Sequence, residues 1–375
     1  MRESFLYPEL HSERSIETSG KQALHFLTWF KGQLEPLLEA YFAEKIKEAA
    51  FIHPEVVVLA EEVRRFNQTG GKRVRPAFAY AAYTACGGRA HDAILYATAA
   101  LELLQAFALI HDDIIDESPL RRGKPSTHVT FEEFHRKRKF AGDSKKFGLS
   151  AAILAGDLAL TYADELLDTA PFPAERIRRA KSYYNTMKKQ VILGQHLDLT
   201  ASVKSGVSEK DILKILEYKT AKYTVERPLH IGAALAGAEE DFFTTFTAYG
   251  VPMGQAFQIQ DDILGTFGSE EQIGKPTDSD IKEGKKTLLV IKTYEWASKS
   301  GIEILDAVLG NRKASEKMIE DARMVIRASG ALEYSQNLAN RLIKQAKEAI
   351  YEERLATEGK AYLLQAADYL LSRQL

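Results

Sequence analysis

The stretch Leu101-Glu102-Leu103-Leu104-Gln105-Ala106-Phe107-Ala108-Leu109-Ile110-His111-Asp112-Asp113-Ile114-Ile115-Asp116 constrains the fold more than any other. At 100° per residue it is a helix apolar on nearly every side, so it belongs inside a protein, yet it ends in Asp112, Asp113 and Asp116. Gln105, Asp112 and Asp116 fall within about 40° of one another on the helical wheel, which gives one face an amide and two acids. The C-terminal end of a helix carries partial negative charge, and Ser118-Pro119 stops this helix just beyond Asp116. Something positive must sit there.

A second cluster, Phe257-Gln258-Ile259-Gln260-Asp261-Asp262-Ile263-Leu264-Gly265, repeats the arrangement. Adjacent carboxylates raise each other's pKa values unless a proton or a divalent cation neutralises them. Oxygen ligands with no cysteine or paired histidine nearby point to Mg²⁺ or Mn²⁺ rather than zinc, and magnesium shares its shell with water and substrate phosphates.

Composition sets outer limits. The chain has 375 residues, 45% hydrophobic and 27% charged, with a formal net charge of −2, so it is long enough for a large core and nothing calls for nucleic acid. The single cysteine, Cys86, excludes an internal disulfide framework and fits a reducing compartment. No apolar run of signal-peptide length follows Met1-Arg2-Glu3-Ser4, and no stretch reaches the roughly 18 apolar residues of a membrane span. The expectation is a cytoplasmic protein without a membrane span.

Helical spacing from Ile16 to Ala50 buries a stripe through Leu24, Leu27, Phe30, Leu34, Leu37, Leu38 and Tyr41. Pro54 opens another helix, which ends at Asn67-Gln68-Thr69-Gly70-Gly71. Next, Gly70-Gly71-Lys72-Arg73-Val74-Arg75-Pro76 sets three cations in a turn before a helix whose first turn holds Pro76. Cations there oppose the helix dipole, so a glycine-flanked basic turn reads as an anion site with backbone N–H groups adding to the charge. Past the first acidic helix, the Gly/Pro-rich loop Glu117 to Pro125 carries Arg121 and Arg122 within reach of whatever a metal would bind. The run Arg136 to Lys139, with Lys145 and Lys146, reads as a solvated connection. Two helices follow, Leu149 to Leu167 and Ala174 to Leu199, and His196 near the end of the second reads as a core or edge histidine. Ser208 with Asp211 gives a near-capping-box signal. Lys219 and Thr220 lie in a moderately apolar helical run, where a buried lysine needs an anion. Gly274 to Lys286 is a long polar loop of the kind used as a lid or binding loop. The remainder reads as helices, with no strand alternation anywhere.

Taken in order, these segments closely resemble the trans-isoprenyl (polyprenyl) diphosphate synthases, of the geranylgeranyl/farnesyl diphosphate synthase type. The carriers are Gly-Gly-Lys-Arg-Val-Arg-Pro at 70–76, Asp-Asp-Ile-Ile-Asp at 112–116, Arg-Arg-Gly at 121–123, Gly-Gln-His-Leu-Asp at 194–198, Lys219-Thr220 and Phe-Gln-Ile-Gln-Asp-Asp at 257–262. The resemblance implies an all-α fold, an isoprenoid synthase-type bundle of antiparallel helices around a central cavity. It implies one domain over residues 1–375, with the motifs at about 50–300, and a homodimer.

The implied activity joins isopentenyl diphosphate head-to-tail to an allylic diphosphate, with Mg²⁺ as cofactor, roughly three ions per site, or Mn²⁺ in its place. By position, Asp112, Asp116 and Asp261 would hold the metal, supported by Asp113 and Asp262. Lys72, Arg75, Gln105 and Arg122 would hold isopentenyl diphosphate. Arg121, Lys219, Gln258, Lys275 and Lys285 would hold the allylic diphosphate, and Lys219, Thr220 and Gln258 resemble the group that steadies the allylic cation. Two positions depart from the family pattern: Gln105 stands where histidine is common, and Gly265 replaces a third acid after Asp261. Phe107 five residues before the acids, with small Ala108 one turn below Asp112, resembles the type that makes the twenty-carbon geranylgeranyl product. A fifteen-carbon farnesyl product or longer chains are the alternatives. A terpene cyclase would have no use for a second phosphate site such as Lys72 to Arg75, and a non-catalytic synthase subunit could lose an acidic motif that this chain keeps.

Overall fold

The computed structural model describes residues 16–89, 92–268, 278–351 and 354–372. Helix α1 (Ile16–Ile52) buries Leu27, Phe30, Leu34, Leu38 and Tyr41 as its spacing predicts, while Leu24 is exposed. A 3₁₀ turn at Pro54–Val56 leads into α2 (Val57–Gln68), followed by α3 (Val74–Ala85) and α4 (Asp92–Ile115). Next come a pair of two-residue strands, β1 (Leu120–Arg121) and β2 (Lys124–Pro125), then α5 (Thr127–Lys137), α6 (Ser144–Asp168), α7 (Ala174–Val203) and α8 (Glu209–Ile215). A π-helical segment at Leu216–Glu226 runs into α9 (Arg227–Ala236) and then α10 (Glu240–Phe267). The chain continues through α11 (Ser279–Lys282), α12 (Leu288–Trp296), α13 (Lys299–Val308), α14 (Glu316–Ala328), α15 (Ala331–Tyr351) and α16 (Thr357–Ser372).

Helix α4 lies at the centre, packed against α6 and α3, with α3 in turn against α9. Its wholly apolar character follows from that position: Ile94, Leu101, Leu103, Leu104 and Ile110 are all at most 1% exposed. Among the described residues it is also the one helix long and apolar enough to cross a membrane, which the sequence reading did not anticipate. In this fold, however, 67% of that apolar window is buried inside the protein. Its buried Glu102 is neutralised by Arg73, 2.6 Å away. The arginine is held in a left-handed conformation (φ 53°) after the turn at Gly70 and Gly71.

Between the acids and α5 the sequence reading expects a loop, and the structure has a hairpin. Arg122 and Gly123 form its two-residue tip with positive φ at both positions (53° and 73°), the conformation of a type I′ turn. The hairpin turns the chain back so that Arg121 faces the acids and Arg122 faces Gly70. Helix α5 also extends into the basic run, ending at Lys137, and α6 begins at Ser144, so Lys145 and Lys146 are helical and only residues 138–143 form the expected solvated connection.

The π-helical segment is the least foreseeable element, because an 11-residue stretch of π-helix is rare and such distortions mark functional sites. Two glycines allow it. A Cβ at Gly254 on α10 would stand 2.3 Å from Ala221 Cα, and one at Gly194 on α7 would stand 2.6 Å from Lys219 N. The segment is therefore clasped between α7 and α10, with backbone approaching backbone. A smaller apolar cluster of Ile281, Val290, Leu305, Val308, Ala314, Ile319 and Ala322 packs beside the main core.

Candidate active site

The positive groups demanded by the acidic end of α4 are present, and they come from two different elements, with a neutral amide from a third. Arg121 on the hairpin donates to Asp113 Oδ1 from Nε (2.8 Å) and from Nη2, and its Nη2 lies 3.5 Å from Asp112 Oδ2. Lys219 on the π-helical segment lies 3.9 Å from Asp112 Oδ1, and Gln195 on α7 donates to that same oxygen at 2.9 Å. Asp113 is fully buried, and its second oxygen has no hydrogen-bond partner among the described residues. Burial first, and the neighbouring charge of Asp112 second, push the Asp116 carboxyl up to about 7.

The second acidic cluster lies at the end of α10, and a relay joins it to the π-helical segment. Thr220 Oγ1 donates to Gln258 Oε1 (2.9 Å), Gln258 Nε2 donates to Asp262 Oδ1 (2.9 Å), and Lys285 Nζ reaches the same carboxylate at 2.8 Å. The carboxylate fixes the amide orientation, since a flipped Gln258 would turn its oxygen toward Asp262. Burial opposes the charge on Lys285, but Asp262 and Asp280 outweigh it and hold the ammonium well above the usual lysine range. Lys219 likewise keeps its proton against burial because Asp198 accepts from it at 2.5 Å and Asp112 stands nearby. Asp261 is half-buried beside Asp262. Lys275 lies outside the described residues.

Two turns before the acids, α4 presents Gln105 to a different environment. Tyr223 OH donates to Gln105 Oε1 (2.8 Å), Arg75 stacks 4.4 Å over the Tyr223 ring, and Arg75 Nη2 donates to Thr224 Oγ1 at 2.8 Å. Arg75 Nε is buried without a partner among the described residues. Arg122 donates to Gly70 O and rests on Gly71, where a Cβ would lie 3.2 Å from its Nη2. Its pKa is pushed below the usual arginine value by burial and then by the nearby charges of Arg73, Arg121 and Arg75. Such a collection of cations is the electrostatic mark of an anion site. Of the three cations read from the basic turn, Lys72 and Arg75 remain for a ligand, whereas Arg73 is turned inward to Glu102 and Asn67 O.

The structure thus draws Asp112, Asp116, Lys219, Thr220, Gln258, Asp262 and Lys285 together, with Arg121 beside them, and Arg75, Gln105 and Arg122 into another group, whereas Lys72, on the same turn as Arg75, meets Tyr369 on the C-terminal helix. Phe107 and Ala108 lie on α4 just below the acids, Phe107 buried and Ala108 half-buried. Gln195, Asp198 and Tyr223 were given no role by the sequence reading. Gln195 and Asp198 lie three residues apart, on one side of α7, within Gly-Gln-His-Leu-Asp at 194–198, so that spacing was the available signal. His196 between them is exposed, not a core histidine.

The donor set also answers whether Mg²⁺ fits. Among the described residues no three Asp, Glu, His or Cys side chains converge on one point. Magnesium does not require that: one or two carboxylates with waters and phosphate oxygens suffice. Two acids one turn apart, with burial and then like-charge repulsion raising one of them, and beside them a carboxylate oxygen without a partner among the described residues, suit a hard cation that arrives with a phosphate.

A family profile described as "Polyprenyl synthetase" matches residues 56–326. The chain is 34% identical over 329 residues to a geranylgeranyl diphosphate synthase of Sulfolobus acidocaldarius, covering 87% of this chain and 94% of that one. It is 35% identical over 305 residues to the geranylgeranyl diphosphate synthase of Methanosarcina mazei, covering 81% and 86%. The crystal structure of a geranylgeranyl pyrophosphate synthase from Corynebacterium glutamicum, complexed with isoprenyl diphosphate and magnesium, superposes with a TM-score of 0.84 at 33% identity, over 96% of this chain and all of that one.

Proposed function

This chain belongs to the polyprenyl synthetase family, and from that premise we propose that it condenses isopentenyl diphosphate with an allylic diphosphate to give the twenty-carbon geranylgeranyl diphosphate and pyrophosphate. One observation carries the reading. A single buried helix faces two unlike anion sites, one acid-rich at Asp112 and Asp116 and one purely basic around Arg75 and Arg122, about 10 Å apart along α4. The first needs a cation to accept a diphosphate; the second does not. A reaction with one activated and one passive diphosphate has use for both.

In this reading Asp112, Asp116 and Asp261 hold Mg²⁺, or Mn²⁺ in its place, and the ions when bound draw negative charge from the departing diphosphate. Arg121, Lys219 and Lys285 take up more of that charge as the allylic C–O bond breaks, and Lys275 from the polar loop joins them. The Lys219 and Thr220 carbonyls lie in the π-helical segment, and with Gln258 they offer oxygen dipoles to the allylic cation. Lys72, Arg75, Gln105 and Arg122 hold the second diphosphate while its double bond attacks. Among the described residues no side chain near the site is poised as a dedicated base, and in this reading the released pyrophosphate takes the proton.

The homodimer has support in the surface. Ile153 and Leu154 on α6 are 46% and 57% exposed, and Ile192 and Leu193 on α7 are 53% and 62% exposed. These apolar side chains flank the active-site end of α4, where Ile153 O meets His111 and Gln195 meets Asp112. A second copy would cover them.

The test is an incubation with isopentenyl diphosphate and each allylic starter, with Mg²⁺ and with chelator, resolving products by length. A metal-dependent twenty-carbon product is expected; no elongation from any starter would overturn the reading. The Asp112–Asp116 pair adds a pH dependence. Because the folded-state pKa of Asp116, about 7, stands above its ordinary value of 3.8, folding takes up a proton between those values, and stability falls as pH rises through them. A cation relieves that cost. Mg²⁺ with pyrophosphate should therefore raise the melting temperature more at pH 8 than at pH 6, and an equal rise at both would sink the assignment of Asp116 to the metal.

A further inference from the structure

The C-terminal helix, which the sequence reading left without chemistry, touches the basic site. Lys72 Nζ donates to Tyr369 OH on α16 at 2.9 Å, and the same ammonium lies 5.4 Å from the centroid of the Tyr369 ring. Lys72 is otherwise an exposed lysine on a turn, with four rotatable bonds and no second partner among the described residues to choose its rotamer. One of its three N–H donors goes to the phenol, which leaves two for an anion.

Tyr369 is itself held from two sides. Its neighbour Asp368 accepts from Ser19 on α1 and from Lys347 on α15, both at 2.6 Å. One turn earlier, Gln365 Nε2 donates to Gln22 Oε1 at 3.0 Å. Gly20 lets the helices touch: a Cβ there would stand 3.2 Å from Tyr369 Cα. The first turns of α1 and the last turns of α16 thus form a seat whose product is one fixed phenol.

We propose that Tyr369 is a positioning residue for isopentenyl diphosphate: the seat built by α1 and α16 holds the Lys72 ammonium at the basic site before the diphosphate arrives. The inference rests on the reading that Lys72 belongs to that site. Preorganisation removes the rotamer entropy that a free lysine would lose on binding, so its effect falls on capture of this substrate and not on the ionisation at Asp112. The allylic diphosphate is gripped by other elements and should not register the change.

The experiment is steady-state kinetics of Tyr369→Phe, which keeps the ring and removes the hydroxyl. KM for isopentenyl diphosphate should rise about fivefold, with kcat and KM for the allylic partner within about twofold. Tyr369→Leu, which removes the ring as well, should raise that KM further. Because Tyr369 acts through Lys72, combining Tyr369→Phe with Lys72→Ala should lower kcat/KM no further than Lys72→Ala alone. An unmoved KM in Tyr369→Phe, an equal rise for both substrates, or losses that multiply in the double variant would each overturn the proposal. Wild-type elongation in the same assay tests the functional reading itself, so failure there overturns both, whereas normal wild-type turnover with an unmoved Tyr369→Phe overturns only the role of Tyr369.

Discussion

Asp112→Ala is expected to lower prenyl transfer by at least about 10³-fold while leaving the helical fold intact. The two halves of that expectation have separate causes. Asp112 is only half-buried, at the last turn of α4, and it contributes no packing to the apolar core. Its removal also relieves repulsion with Asp113 and Asp116, so the folded state loses little. Function should lose much, because Asp112 is where Gln195, Arg121 and Lys219 converge, and in the proposed function it is also a ligand of the metal. Without it Lys219 keeps Asp198 as its one ion-pair partner among the described residues, and a metal held as proposed would lose one of two carboxylates one turn apart. The measurement is turnover at saturating Mg²⁺ and both substrates, with circular dichroism as the fold control. A variant that retained more than about a tenth of the wild-type rate would remove Asp112 from the metal site.

Features fixed by local chemistry were legible in the chain. The capping box at Ser208 and Asp211 forms as read, with the hydroxyl and the carboxylate each satisfying the other's backbone N–H. The burial of α4 was equally plain, since no surface helix is apolar all round. The acids at its end announced their cationic partners through the helix dipole, and Arg121 and Lys219 are those partners. What stayed hidden depends on contacts between distant segments. Nothing within 216–226 marks a π-helix; the distortion is possible because Gly194 and Gly254, on two other helices, leave room for the backbone. Arg73 looked like one more cation of the basic turn, and only the position of Glu102 on α4 turns it inward. The hairpin that separates the tasks of Arg121 and Arg122 has strands of two residues each, too short to show alternation. Tyr369 lies 297 residues from the lysine it holds, beyond the reach of any local pattern.

Ala108→Phe is expected to shift the main product from twenty carbons to fifteen or fewer while total turnover is retained. Ala108 lies four residues, about 6 Å, below Asp112 on the same side of α4, so a chain growing from a diphosphate held at the acids descends past it. Phe107 next to it is not free to give way. Its ring meets His111 edge-on at 4.8 Å, and His111 occupies the space that a Cβ at Gly156 would fill, with Nε2 3.2 Å from Ile153 O. A second aromatic at 108 would therefore project from an anchored surface and block descent. If the new ring instead overpacked the core, the cost would be about 1–3 kcal/mol and would appear as a lower melting temperature with the product length unchanged. That outcome, or an unchanged product in a fully stable variant, would remove Ala108 from the pocket wall. The acids and the pocket occupy successive turns of one helix, so the two substitutions should separate cleanly. Asp112→Ala should stop the chemistry, and Ala108→Phe should leave the chemistry running but end it earlier.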